Sequence, residues 1–325
     1  MNENTVTENV AKQWHQSLSP EIRTAIRGLH KIDKRWNFIA LFFLVNWAVG
    51  AWLVLTFPHL AVRILGTLWI GIVIHGLANL MHEATHGNLF RKQSADRLLG
   101  FLCGAPAFFS VTAYQVTHTL HHAHNRTDLD PDEFMNITNK KGVLSLLFYL
   151  WLFIGMFLYL IHVPLTALLR GSNRDRRRII TEYAIMFVVY GGVILASLRF
   201  GFWDAVVAVW LIPCLVAAFF GNVRSWAEHM LTLKGHPLTE SRTVLSSKAF
   251  SLYNVNLNYH AEHHLYPGMP WYNLPKLHKV LLPEYKRIGT SIYKSYAVFL
   301  FDAVRYGVHG LAPKVRPSVG ADVPA

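Results

Sequence analysis

The chain has 325 residues, of which 52% are hydrophobic, 13% aromatic and only 15% charged, with a formal net charge of +12 at pH 7. About a quarter of the residues of a soluble protein are charged, so this composition indicates a membrane protein. The basic residues adjoin apolar segments and form no stripe on a soluble fold, which argues against nucleic acid as a partner. No linker-like stretch divides the apolar segments, which favours one integral-membrane domain over two soluble ones.

The first third of the chain reads as a polar segment followed by a helical hairpin. Residues 1–36 are polar and basic and lack the pattern of a secretory signal or transit peptide, so we expect them to be cytoplasmic. Residues 37–57 and 60–81 are each apolar and long enough to cross a bilayer. Their pairing would return residue 82 to the side of the N-terminus.

Two further segments do not read as simple spans. Residues 98–110 are apolar but too short to cross and contain Gly104 and Pro106, which predicts an interfacial or re-entrant segment. Residues 143–169 are long and apolar, but basic residues flank them on both sides, including the arginine-rich loop 170–178. Because both flanks look cytoplasmic, we predict that residues 143–169 enter and return, or lie along the interface.

The second hairpin is expected at about 179–198 and 202–220. The predicted fold class is therefore an all-α integral-membrane protein, with about four transmembrane helices in two hairpins, interfacial or re-entrant helices and a cytoplasmic cap. We expect three regions: a cytoplasmic N-terminal segment (1–36), a membrane domain (37–285) and a cytoplasmic C-terminal segment that ends in a flexible tail (286–325).

Three histidine clusters are the strongest functional signal. Box one is His82-Glu-Ala-Thr-His86, box two is His118-Thr-Leu-His121-His122, and box three is His260-Ala-Glu-His263-His264. Positions i, i+3 and i+4 share a helix face, so each box aims its imidazoles at one point. With 18 histidines in the chain, chance predicts roughly 0.05 copies of H-x-x-H-H, which disfavours unrelated surface histidines.

The boxes supply eight imidazoles, and His229, directly after the last apolar segment, is a ninth candidate. A structural zinc takes four ligands and a catalytic zinc three, so nine exceed the needs of one metal ion. Two ions with four or five ligands each would use the whole set. Imidazole suits redox-active first-row metals, and iron with dioxygen as oxidant fits such a site.

Box one also matches H-E-x-x-H, the helix motif of zinc proteases. A zinc protease needs one further ligand and has no use for two H-x-x-H-H boxes, which disfavours this interpretation. Glu83 is instead expected to orient a ligand histidine by a hydrogen bond, and Glu262 and Glu228 are candidates for the same role. The alternative for all three carboxylates is a solvated surface position.

At these residues the chain resembles the membrane fatty acid desaturase family, the histidine-box di-iron desaturase and hydroxylase superfamily. The resemblance covers about residues 36–285 and includes the stretches 128–132 after box two and 258–278 around box three. It implies two non-haem iron ions, dioxygen as co-substrate and desaturation of a fatty-acyl or other lipid chain. Hydroxylation or ketolation of a lipid or carotenoid stays open. A metal transporter is a remote alternative, because transporters place their ligands at mid-membrane, whereas these boxes lie at or beyond the ends of the apolar spans.

Electrons are expected from a separate donor of the ferredoxin or cytochrome b5 type. The chain has no Gly-rich dinucleotide motif, and its two cysteines, Cys103 and Cys214, are too few for an iron–sulfur cluster. The loop 170–178 could dock an acidic donor, although its charge is also explained by membrane topology. We expect a multi-pass protein with its active site on the cytoplasmic side.

His75 is the one remaining histidine to which we give a functional alternative. It lies seven residues before His82 inside an apolar span, where Asn79 could bond to it. A role beside the substrate path and a packing role both stay open. Ordinary surface or packing roles are expected for the other histidines considered, which are His15, His30, His59, His124, His236, His278 and His309.

Overall fold

The computed structural model describes residue 10 and residues 12–138 and 140–310. Its main helices are α1 (Pro20–Leu29), α2 (Ile39–Thr56), α3 (Leu60–Thr85), α4 (Gln93–Gly104), α5 (Val111–His124), α6 (Lys141–Arg170), α7 (Asn173–Phe200), α8 (Trp203–Glu228), α9 (Lys248–Tyr253), α10 (His260–Leu265), α11 (Leu274–Ile288) and α12 (Tyr296–Gly310). Strands β1 (Thr243–Val244) and β2 (Ile292–Tyr293) form one short parallel pair. Residues 1–9 and 311–325, which belong to the two predicted terminal segments, lie outside the described residues.

Helices α2 and α3 form the predicted first hairpin. Helix α2 ends at Thr56, two residues before Pro58, because the residue that precedes a proline is pushed out of the helical region. Glycines allow the two helices to approach closely: a Cβ on Gly66 would lie 2.7 Å from Val54 Cγ2, and one on Gly50 would lie 2.7 Å from Ile70 Cγ1. The hairpin carries box one back toward α1.

Helices α4 and α5 form a sharply bent pair, with an angle of 97° between them. The break falls at residues 105–110, inside the segment expected to be interfacial or re-entrant. Its tip lies against α8, where Trp210 Nε1 donates a 2.9 Å hydrogen bond to the carbonyl of Pro106. The pair starts shortly after His86 and carries His122 near its end, and both imidazoles belong to one histidine group. Its two ends therefore lie on the same side of the fold, as a re-entrant path requires.

Helix α6 differs from one of the two paths that the sequence predicts for residues 143–169, the path that enters the membrane and returns. It is one continuous helix of 30 residues that runs through Pro164, about 45 Å long at 1.5 Å per residue. A segment that enters and returns must reverse its direction, so that version of the prediction is wrong. Phe148 near its start stacks on Trp226 at the end of α8, with 4.3 Å between the rings, and only two residues separate its end from α7.

Helices α7 and α8 form the second hairpin. The turn follows Gly201, whose φ of 76° ends α7, and Tyr190 packs on Trp210 across the hairpin at 4.6 Å. The start of α7 and the end of α8 therefore lie at the same end of the hairpin. Both ends of α6 meet that end, which favours the other version of our prediction, a helix that lies along the interface.

The predicted fold class is confirmed: the described chain is an all-α membrane protein with one two-stranded element. Five stretches of the described residues are long and apolar enough to cross a membrane: Lys34–Thr56, Leu60–Thr85, Lys141–Arg170, Asn173–Phe200 and Trp203–Glu228. The bent pair α4–α5 would make a sixth if it counted as one span. The number of four full spans stays a prediction.

Candidate metal centre

Nine histidine side chains carried by α3, α5, α8 and α10, or by the residues that end these helices, converge on one place. Box one lies at the end of α3, box two in the second half of α5, and box three in the six-residue helix α10. His229 is the C-terminal cap residue of α8. The sequence spacing therefore gives the local convergence, and the packing of α3, α5, α8 and α10 brings the boxes together.

The imidazoles form two groups. The first group has five members, whose potential ligand atoms all lie within 4.8 Å of one another: His82, His86, His118, His122 and His263. In the second group, His121, His229 and His264 meet the same criterion, and His260 Nε2 lies 2.7 Å from His229 Nε2. The groups share a boundary at which the rings of His122 and His264 stack at 4.2 Å.

These nitrogens fit metal ligands better than they fit a hydrogen-bond network. Both ring nitrogens of His82 and the Nε2 atoms of His86 and His264 are buried without a partner among the described residues. Burial lowers the pKa of His86 to about 4, and burial together with neighbouring imidazoles lowers the pKa of His264 well below its usual value. Neutral, unpartnered imidazoles are the form that binds a metal ion.

Two carboxylates, Glu83 and Glu228, lie beside the Nδ1 atoms of three of the imidazoles. Glu83 Oε1 lies 3.3 Å from His82 Nδ1 and 3.8 Å from His263 Nδ1. Glu228 lies 3.4 Å from His260 Nδ1. Such contacts fix the ring orientation and leave Nε2 for the metal. They agree with the role expected for Glu83 and Glu228, which stays a proposal.

Asp130 is a partner that the sequence reasoning missed. Its Oδ1 lies 2.9 Å from His121 Nδ1, and both side chains are buried. The stretch 128–132 was noted only as part of a resemblance. An aspartate nine residues after a ligand histidine has no helical register to identify it, so only the folded loop reveals the contact.

Glu262 has different partners from those expected. Its carboxylate is fully buried and accepts hydrogen bonds from Thr243 Oγ1 at 2.6 Å and from His278 Nδ1 at 2.5 Å. It therefore ties α10 to β1 and α11, and among the described residues it makes no hydrogen bond to a ligand histidine. The same contact gives His278 a defined position in the cap, whereas the sequence offered only an ordinary role.

Two further buried groups hold the elements that carry ligands. Glu182 of α7 accepts hydrogen bonds from Ser110 Oγ and Thr112 Oγ1, each at 2.5 Å, at the N-terminus of α5. Arg242 donates to the carbonyls of Ala227 and Met230, each at 2.9 Å. Arg242 thus caps the end of α8 on both sides of His229.

A cavity of about 350 Å³ opens beside the histidines. Its walls include imidazoles from both groups and aromatic and aliphatic side chains from α5, α6 and the turn at 134–136. Five imidazoles of the two histidine groups lie on the wall: His82, His118, His121, His229 and His260. Glu83 does not line the cavity, although a zinc-protease base would have to reach the substrate. The cavity suits a mostly apolar molecule that is presented to the histidine groups.

His75 also lines this cavity, in a buried polar cluster. Its Nε2 lies 3.2 Å from Asn254 Oδ1, and Asn79 Nδ2 donates to the same oxygen at 2.9 Å. The direct bond expected between Asn79 and His75 is absent from the hydrogen bonds of the described residues, because Asn254 lies between them. His162, which the sequence reasoning did not consider, lines the cavity and lies 3.7 Å from Asp132.

Comparison with known proteins gives the same family along most of the chain. A family model described as fatty acid desaturase matches residues 58–296. The matched region runs from the first hairpin to the second strand and includes all nine histidines.

Curated relatives are similar over comparable lengths. The dihydrorhizobitoxine desaturase of Bradyrhizobium elkanii is 27% identical over 313 residues, covering 86% of this chain and 83% of its own. The sphingolipid delta(4)-desaturase/C4-monooxygenase DES2 of Homo sapiens is 25% identical, covering 80% of this chain and 78% of its own. The sn-1 oleoyl-lipid 12-desaturase of Synechocystis sp. is 23% identical, covering 65% and 66%.

Proposed function

Because the chain belongs to the fatty acid desaturase family and is thereby an oxidoreductase, we propose that it is a di-iron, dioxygen-dependent desaturase of lipid chains. The observation that carries this proposal is the pair of adjoining histidine groups, five and four imidazoles, on the wall of a mostly apolar cavity. Two redox-active ions with all-imidazole ligands are suited to dioxygen chemistry.

In this proposal the residues divide into ligands and residues that orient them. The five-membered group would hold one ion and the four-membered group the other. Bound iron would activate dioxygen, the oxidant, for the removal of hydrogen from an unactivated C–H bond. Asp130 accepts a hydrogen bond from His121 Nδ1, and Glu83 and Glu228 lie 3.3–3.4 Å from the Nδ1 atoms of His82 and His260. In this proposal the three carboxylates keep the Nε2 atoms aimed at the ions. The apolar cavity walls position the chain and exclude water.

The balance of the reaction requires a reductant. Desaturation removes two hydrogen atoms from the substrate, and reduction of O₂ to two waters takes two further electrons and two protons. The chain has two cysteines, too few for an iron–sulfur cluster. We therefore propose a separate donor of the ferredoxin or cytochrome b5 type, which acts from the cytoplasmic side.

Hydroxylation on the same scaffold is the second candidate. One observation favours it: the name of the human relative combines a desaturase with a C4-monooxygenase. The two outcomes differ only in the fate of the substrate after the first hydrogen is removed. They are distinguished by whether the product has lost two hydrogens or gained one oxygen.

The test is lipid profiling by mass spectrometry after expression in a host of known lipid composition. Desaturation predicts new species lighter by two hydrogens, which disappear in the His122→Ala variant. The purified protein should contain two iron ions per chain. A chain with one zinc ion, or with no metal after expression in iron-replete cells, would contradict the di-iron proposal.

A further inference from the structure

We propose that Arg224 anchors the substrate by donating hydrogen bonds to an uncharged oxygen, a carbonyl or a hydroxyl, beside the histidine groups. The carbon that reacts would then lie only a few bonds from that oxygen. This inference rests on the proposed function, because it concerns the substrate of the same cavity. It specifies a class of lipid that is oxidised at a carbon close to its polar group.

Arg224 lies within the cavity wall near the end of α8. It lines the same cavity as the histidines of both groups, and 15% of its side-chain surface is exposed. An ionised side chain near the end of an apolar membrane helix is costly and usually marks a substrate path. Its exposed part faces the cavity.

The guanidinium has more donors than protein partners. Its Nε donates to Glu228 at 2.9 Å, and its Nη1 donates to Asn79 Oδ1. Within residues 12–138 and 140–310, its Nη2 makes no hydrogen bond. An arginine carries five N–H groups in a fixed planar fork, so donors remain for an occupant of the cavity.

The charges around Arg224 favour an uncharged acceptor. Glu228 already neutralises the guanidinium, and Asp132, whose side chain is 17% exposed, adds a second carboxylate to the same cavity. A carboxylate on the substrate would add another negative charge to this wall. A carbonyl or hydroxyl oxygen accepts from the free N–H groups without that repulsion.

The distances place this anchor next to the reacting centre. Arg224 contacts Glu228, and Glu228 lies 3.4 Å from His260 Nδ1 in the second histidine group. An oxygen held by Arg224 is therefore separated from the ligand shell by one side chain. A plain hydrocarbon tail at this position would leave the free donors unsatisfied in an apolar cavity, which is unfavourable.

The first experiment locates the new double bond or hydroxyl in the lipid product of the wild-type protein. The proposal expects it within the first few carbons of a carbonyl or hydroxyl group. A product modified in the middle of an unbranched chain would overturn the role of Arg224 and leave the desaturase function intact. In the Arg224→Gln variant, kcat/KM should fall at least tenfold with the iron content unchanged.

The second experiment does not depend on turnover. The purified protein with its bound metal, in lipid nanodiscs and without a reductant, is titrated with N-methyldecanamide that carries a ¹³C-labelled carbonyl, and the carbonyl stretch is recorded by infrared difference spectroscopy. The wild type should shift the stretch to lower frequency, and Arg224→Gln should remove this shift. The matched control is Arg199→Gln, which replaces an exposed arginine at the C-terminal end of α7. This variant should keep the shift of the carbonyl stretch.

Arg224→Lys covers the case in which Arg224→Gln fails to fold. Lysine keeps a charge opposite Glu228 but lacks the planar fork, so the shift should be reduced while the metal sites still form. A carbonyl shift that is absent from the wild type, or equal in the wild type and both Arg224 variants, refutes the anchor even if the protein proves not to be a desaturase.

Discussion

The substitution His229→Ala tests whether the centre has nine ligands or eight. His229 belongs to the four-membered group, 2.7 Å from His260 Nε2 and 3.3 Å from His121 Nε2. Loss of a residue that only hydrogen-bonds to a ligand costs about 10–100-fold in metal affinity. Loss of a ligand itself should therefore cost at least about 100-fold, or about 2.7 kcal/mol.

We expect the variant to lose iron from the four-membered histidine group and not from the five-membered one. The five-membered group contains no contribution from His229, so the variant should keep about one iron per chain and lose nearly all activity. Iron is measured by plasma mass spectrometry and activity by lipid profiling. The control is His59→Ala, an exposed histidine between α2 and α3, which should keep both ions and normal activity. A His229→Ala protein with two irons and more than half of the wild-type activity would show that the centre has eight ligands.

Three further outcomes follow from the structure. Glu83→Gln should lower metal affinity by about 10–100-fold, measured by chelator competition, and unchanged affinity would mean that Glu83 is only a packing group. Burial raises the pKa of Glu240 from its usual 4.5 to about 7, so its ionisation destabilises the fold as the pH rises from about 4.5 to above 7. Glu240→Gln should therefore stabilise the protein at pH 8 by about 1–3 kcal/mol but not at pH 4. An equal increase in stability at both pH values, measured by thermal unfolding, would contradict this explanation. Single cysteines at Thr138 and Asn173, in a background without the native cysteines, should react with an impermeant reagent from the same side, and labelling from opposite sides would mean that α6 crosses the membrane.

The histidine boxes could be predicted because their geometry is local. Spacings of three and four residues place imidazoles on one helix face, so the aim of each box was readable before any packing was known. The family's motif spacing then suggested that the boxes meet. His229 was found by position alone, directly after an apolar span, and the structure places it against His260.

Not every partner of the ligands could be predicted from the sequence. Glu262 lies between ligand histidines in the chain, yet its carboxylate points to Thr243 and His278. A neighbour in sequence on a helix faces away by about 100°, so adjacency says little about contact. Asp130 shows the converse, because a contact made through a loop has no periodicity to predict it.

For residues 143–169 the structure overturns the reversal of direction that the sequence suggested, and the absence of a net crossing stays a prediction. Hydropathy alone makes α6 a span, since its length and composition pass the same test as α7 and α8. One metal centre requires one compartment, and that requirement led us to expect no net crossing. Gly155 and Pro164 suggested a reversal, but helix packing overrides both, and α6 runs unbroken. We still expect no net crossing, because α6 starts against the end of α8 and finishes beside the start of α7. A long apolar helix that joins two points at the same end of a hairpin is expected to lie across that end, which in a membrane would be the interface.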